Sequence, residues 1–204
     1  MSEPVIRLLI ELDDIEPRIW RRVDVPAGAT LEALHDTIQA VMRWEHAHLW
    51  EFQLENRRYG EPMPSFGDLG GRVYKAKGFK LDRLAGLGIK EFSYIYDFGD
   101  DWRCTIRVED HRDGDESTNY PVFVDGERAA PPEDIGGVPG FLEFLDVIAD
   151  PKHPQHSELL DWVGGEFDPA DTNPQDIERD LAMLAEFRRR ARVGHNKRGV
   201  WTRG

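Results

Sequence analysis

Residues 92–108, Phe92-Ser93-Tyr94-Ile95-Tyr96-Asp97-Phe98-Gly99-Asp100-Asp101-Trp102-Arg103-Cys104-Thr105-Ile106-Arg107-Val108, constrain the fold more than any other stretch of the chain. Tyr94, Tyr96 and Phe98 alternate with Ser93, Ile95 and Asp97. Cys104, Ile106 and Val108 alternate in the same way with Arg103, Thr105 and Arg107. A period of two puts one face of each arm inward, so the stretch reads as a β-hairpin. Gly99-Asp100-Asp101 suits its turn, because Gly accepts positive φ and Asp hydrogen-bonds nearby backbone. A turn has no need of Asp97 as well. A carboxylate beside Phe98 requires hydrogen-bond donors if it is buried, and the surplus acidity marks the hairpin tip as a candidate site.

The remaining chain supplies elements that pack around such a hairpin. Ile6, Leu8, Ile10 and Leu12 share one face of a first strand, and 19–25 form a second after the turn at 13–17. Thr30 caps an amphipathic helix carrying Leu31, Leu34, Ile38, Val41 and Met42 and ending near Trp44. Alternation returns from His48 to Leu54 and runs on toward Tyr59. The order strand, strand, helix, strand, strand predicts an α+β fold, a β-grasp-like mixed sheet that the further hairpin completes. Gly60 to Gly71 and the basic run 75–80 read as an excursion, and 109–115 as a charged loop. Pro and Gly make 129–140 irregular. Phe141, Phe144, Leu145 and Ile148 then mark a helix, Leu159 to Val163 a short second one, and Asn173-Pro174 the start of a third. The expected organisation is a β-grasp-like unit over 1–128, a C-terminal helical extension over 129–187 and a basic tail over 188–204.

Charge narrows the partners. The net charge is −13, yet Arg188, Arg189, Arg190, Arg192, Lys197, Arg198 and Arg203 stand together without an acid, leaving about −20 on the body. Such a body repels phosphate backbones, so nucleic-acid contact is expected only weakly and through the tail. No apolar run is long enough to span a membrane and no secretion signal opens the chain, so a cytoplasmic protein without membrane contact is expected. The single cysteine, Cys104, excludes an internal disulfide framework and, on the inward face of a strand, reads as core.

Several strings in this order resemble the plasmid pRiA4b-type ORF family, also labelled transposon-resolvase-like or insertion-element passenger proteins. They are Pro17 to Pro26, Thr30-Leu31 with Leu34-His35 and Ile38-Gln39, Tyr96-Asp97-Phe98-Gly99-Asp100-Asp101-Trp102, and Pro131-Pro132-Glu133-Asp134 with Gly136-Gly137. Pro139-Gly140 and 164–169 extend the match. The resemblance implies an α+β fold and no particular activity. Where the family often carries His or Cys, this chain has Trp50, Cys104, Ala130 and Ile135, so bound zinc or iron and any cofactor are not expected.

The candidate ligand-binding residues are therefore His48, Trp50, Asp97, Asp100, Asp101, Trp102, Glu133 and Asp134, expected to form one acidic–aromatic cleft where the Pro131-Pro132 loop meets the hairpin tip. Asp97 is expected to be structural, with donors from the Gly136-Gly137 loop, and Asp100 or Asp101 functional. Two readings follow. In the first the protein is a non-enzymatic binding or adaptor module for a protein partner or a cationic ligand. In the second Asp97, Asp100 and Asp101, aided by Glu133 and Asp134, hold Mg²⁺ or Mn²⁺ and serve a hydrolase or nuclease as catalytic carboxylates. Ser65 and Ser93 lack the arginines that a serine recombinase needs, so the resolvase label does not carry over.

Overall fold

The computed structural model describes residues 2–62 and 72–198. Its strands are β1 (Pro4–Leu12), β2 (Ile19–Pro26), β3 (Trp50–Leu54), β4 (Arg57–Gly60), β5 (Val73–Lys75), β6 (Glu91–Tyr96), β7 (Trp102–Asp113) and β8 (Val122–Glu127). The helices are α1 (Leu31–Met42), α2 (Arg83–Leu87), α3 (Gly137–Ala149), α4 (His156–Trp162) and α5 (Pro174–Arg198), with a short 3₁₀ turn at Ala76–Gly78. The fold is α+β, built on one 8-stranded sheet of order β5-β4-β3-β6-β7-β1-β2-β8. Every neighbouring pair is antiparallel except β4 and β5.

The order β1-β2-α1-β3-β4 is present as a succession of elements, but the β6–β7 hairpin lies inside the sheet, between β3 and β1. It joins the two halves. Tyr96 pairs with Trp102, so the hairpin loop is 97–101, and all the tip carboxylates fall in it. The alternation is realised within the strands, where Tyr94, Tyr96, Trp102, Cys104 and Ile106 are buried in one core with Ile6, Leu8, Ile10 and Leu12 of β1. Phe98, however, falls in the loop and is half exposed, and Ile95 on the other face is buried too. Leu31, Leu34, Ile38, Val41 and Met42 of α1 enter the same core. Each contributes about 1.5–3 kcal/mol relative to exposure. Thr30 caps α1 by accepting from Ala33 N at 3.2 Å.

Three segments differ from the sequence reading. Residues 109–113 extend β7 instead of forming a charged loop, because 110–113 pair with Pro4 to Arg7 of β1 across a register shift at Glu109. The run from His48 to Tyr59 gives the expected two strands but begins only at Trp50, and it turns at Glu55, whose φ is +52°. The stretch after residue 71 is an edge strand and a 3₁₀ turn, while 63–71 lie outside the described residues. At the C-terminal end Phe141, Phe144, Ile177 and Leu181 join the main core, so α3 and α5 complete it. α5 runs without a break past position 188, where Arg188 pairs with Glu3 at 2.7 Å. Among the described residues no helix is long and apolar enough to cross a membrane.

One buried carboxylate ties three adjacent strands. Asp24 on β2 accepts from Arg7 Nε and Nη2 of β1, each at 2.9 Å, and from both terminal nitrogens of Arg112 on β7. Burial works against the ionised form, but the hydrogen bonds and charges of Arg7 and Arg112 outweigh it and hold the pKa of Asp24 below its ordinary value. A folded pKa below the unfolded one means stability that is complete above the unfolded value, about 3.9, and lost as pH falls through the folded pKa. Asp24→Asn is expected to cost about 1–3 kcal/mol at neutral pH. Urea unfolding of both proteins checks this: the gap should shrink toward about pH 2.5, and an equal gap at both pH values would refute the linkage.

Candidate functional site

The cleft is assembled from the segment after α1, the tip of β6–β7 and the Pro131–Asp134 loop. Three hydrogen bonds pin that loop. Trp44 Nε1 donates to Pro131 O at 3.1 Å, Glu45 N donates to Glu133 Oε1 at 2.7 Å, and the Tyr96 hydroxyl donates to the same oxygen at 2.8 Å. Tyr96 in turn accepts from Ala47 N at 3.1 Å and stacks on Trp44 with ring centroids 4.8 Å apart. Burial and the Glu133 carboxylate both push the Tyr96 phenol well up, so it stays a donor.

His48 stands at the centre. Its Nε2 lies 3.1 Å from Asp134 Oδ1, 3.5 Å from Glu133 Oε2 and 3.6 Å from Asp97 Oδ2. None of these contacts is aligned as a hydrogen bond, and this nitrogen is fully enclosed. The nitrogen thus lies close to three carboxylates and remains unsatisfied. His48 Nε2, Asp97 and Asp134 offer ligand atoms within 4.8 Å of one another.

Positive φ angles decide which carboxylate goes where. Asp97 has φ of +53° and Asp101 +55°, so the residues of the tip do not alternate as a strand would. Asp97 Oδ1 accepts from Gly99 N at 2.8 Å, within its own turn, leaving Oδ2 toward His48. The Gly136-Gly137 loop instead donates to Asp100, through Gly136 N at 3.0 Å. Gly137 must be glycine here: its φ is +68°, and a Cβ would lie 2.5 Å from the Asp100 carbonyl oxygen. Asp101 pairs with Arg103 on the surface at 3.0 Å. The structure thus brings Asp97, Glu133, Asp134 and His48 together and sets Asp100 and Asp101 apart. Among the described residues Asp97, Asp100 and Asp101 do not form one metal-capable group. Trp102 is core, 1 % exposed. Cys104 is buried as well, and burial pushes its thiol well up.

Trp50 leads to a polar network that sequence reasoning missed. It stacks on His35, centroids 4.0 Å apart and planes 9° off parallel. His35 Nδ1 lies 2.7 Å from the Tyr94 hydroxyl, which also accepts from Gln39 Nε2 at 3.1 Å. The Gln39 amide is oriented by its oxygen, which accepts from His46 N at 2.9 Å. Tyr94 is fully buried, so its own proton goes to His35 Nδ1, which places the imidazole proton on Nε2, directed at His46 Nδ1 at 3.3 Å. The hints in the sequence were the family-like strings Leu34-His35 and Ile38-Gln39 and the spacing of His35 one turn before Gln39, which puts both on one face of α1.

These features define an α+β protein with an aromatic-walled, acidic cleft. The chain belongs to the plasmid pRiA4b ORF-3-like protein family, which it matches over residues 4–176. It is similar to the uncharacterized protein y4hQ of Sinorhizobium fredii, 37% identical over 194 residues covering 94% of this chain and 98% of that one. It is also similar to the crystal structure of a protein of unknown function, MM3350, from Methanosarcina mazei Go1. That likeness has a TM-score of 0.77 at 39% identity, covering 86% of this chain and 97% of the other.

Burial, and second His46, lower the pKa of His35 to about 3, so it is neutral in the folded state across the physiological range. Nitrogen-15 NMR should find it in the Nε2–H form with no titration between about pH 5 and 8. Its folded pKa lies below the unfolded value, about 6.5, so its contribution to stability is complete above that pH and erodes on acidification. An Nδ1–H tautomer in the wild-type protein would refute the proton assignment.

Proposed function

We propose that the protein is a non-enzymatic binding module whose acidic–aromatic cleft holds a divalent cation. The observation that carries this reading is His48 Nε2, enclosed, unbonded and facing three carboxylate oxygens at 3.1, 3.5 and 3.6 Å. Metal–ligand bonds of about 2.0–2.2 Å at tetrahedral or octahedral angles put neighbouring ligand atoms about 2.9–3.5 Å apart, which is close to this spacing. One imidazole among oxygens suits Mn²⁺ or Zn²⁺ better than Mg²⁺, which favours oxygen and water alone. A protonated His48 would account for the same short contacts through charge, but it would leave its N–H without an aligned acceptor.

Charge favours holding a cation over turning over a phosphate ester. A cation-assisted hydrolase needs an open coordination position and groups that bind phosphate, and here the ion position is bounded by Asp97 and Asp134, with Glu133 Oε2 3.5 Å from His48 Nε2. The net charge of −13 opposes phosphate approach further. A reducing cytoplasm suits a chain whose one cysteine is a buried, free thiol.

Calorimetric titration of metal-stripped protein with Mn²⁺ or Zn²⁺ should saturate at one ion per chain. His48→Ala and Asp134→Asn should each weaken binding by about tenfold or more. Asp101→Asn, outside the cluster, should leave it unchanged. A lack of saturable binding by either ion would sink the reading.

A further inference from the structure

The Pro131–Asp134 loop has a second side. Behind it lies a cavity of about 670 Å³, bounded by the end of α1, the last turn of α4 and the segment up to Asn173. Arg21 of β2 lines it, and this guanidinium is unusual in its surroundings. The side chain is 1 % exposed, and its bonds go only to neutral carbonyls. Nε donates to Val41 O at 2.9 Å, and Nη1 donates to Trp20 O at 2.8 Å and Glu127 O at 2.9 Å. Among the described residues no carboxylate forms an ion pair with it. Burial lowers its pKa to about 10, which leaves it cationic at neutral pH. A buried charge without a counter-charge is costly, and an anion beside it would offset that cost.

Nη2 is the guanidinium nitrogen left over. It makes none of these bonds, yet His48 Nε2 is the one fully enclosed, unbonded side-chain nitrogen or oxygen among the described residues. Nη2 is therefore not sealed in, and Arg21 is one of the residues that line the cavity. The cavity also carries the opposite charge. Glu166, Asp168 and Asp171 line it without ion pairs among the described residues, and the half-exposed ring of Trp162 stands with them. Asp168 and Asp171 each spend one carboxylate oxygen on a local turn, to Ala170 N and Asn173 N at 2.8 Å, and keep the other. Arg43, the other cation of the lining, is held by Asp176 at 3.1 Å. A simple anion would be repelled by these carboxylates, and a simple cation would leave Arg21 as it is. A molecule with both charges meets both demands.

We propose that this cavity binds a small zwitterion of the basic amino-acid class, its α-carboxylate on Arg21 Nη2 and its cationic side chain between the Glu166, Asp168 and Asp171 carboxylates and the face of Trp162. The guanidinium of arginine suits that end, since it stacks on an aromatic face while donating to carboxylates. The site is independent of the cation position at His48, although Glu133 and Asp134 border both.

Arg21 also holds carbonyls of β2, α1 and β8, so its replacement endangers the fold, and the ligand is varied in its place. L-Arginine, agmatine, which lacks the carboxylate, and L-norvaline, which lacks the side-chain charge, are titrated calorimetrically into the metal-stripped full chain. L-Arginine should bind one per chain and raise Tm, with agmatine and norvaline each weaker by about tenfold or more. Trp162→Ala and Asp168→Asn change two lining residues and should each weaken arginine binding by about tenfold while leaving the Mn²⁺ titration unchanged. Failure of L-arginine to bind at about 10 mM, or agmatine binding as tightly as L-arginine, would overturn the proposal. Arginine binding that persists when Mn²⁺ does not bind would uphold it and count against the cation site alone.

Discussion

The carboxylate of Glu133 is the joint on which the cleft depends. One of its oxygens takes two donors, the Tyr96 hydroxyl from the hairpin and the Glu45 amide from the segment after α1, and the other faces His48. Hydrogen bonds to a charged acceptor are worth about 1.5–3 kcal/mol each, against the entropy of ordering an irregular Pro- and Gly-rich loop. Trp44 adds the third anchor through Pro131 O. The loop thereby has three anchors, with Asp134 beside His48 and Pro131 to Asp134 lining the cavity.

Two imidazoles of the same region show how context divides one chemistry. His35 is buried, stacked on Trp50 and engaged at both nitrogens, and its neutral form belongs to a completed network through Tyr94 and Gln39. Such networks rigidify what surrounds them when every member is satisfied. His48 has the reverse arrangement, with charge around it and no bond along its Nε2 axis. A folded protein tolerates an unsatisfied group most readily where a ligand completes it. The same contrast holds between Asp24, whose two arginines fully engage it, and Arg21, which has only carbonyls.

Much of this architecture was legible in the residues themselves. Period-two alternation in 92–108 identified the central hairpin, Thr30 and the Leu31-to-Met42 stripe identified α1, and the Pro131–Asp134 loop was expected at the hairpin tip. These are local patterns, set by side-chain direction along a strand or helix, and they survive in almost any tertiary setting. The charged stretch 109–113 was misread for a related reason: polar side chains say little about a strand whose backbone partner, β1, lies about a hundred residues away in sequence.

Only the tertiary structure decided which acids share a site. Asp97, Asp100 and Asp101 look equivalent in the sequence, but positive φ at Asp97 and Asp101 sends them to His48 and to Arg103, and Gly136 claims Asp100. His48, Asp97 and Asp134 come from three separate segments, and Arg21 reaches its cavity only because β2 passes beneath the end of α1. The sequence by itself determined the elements, the hairpin and the surplus of carboxylate at its tip, because those follow from neighbours along the chain. The convergence of His48 with Asp97, Glu133 and Asp134, and the lack of an ion-pair partner for Arg21 among the described residues, depend on backbone torsions and long-range packing that no short pattern encodes.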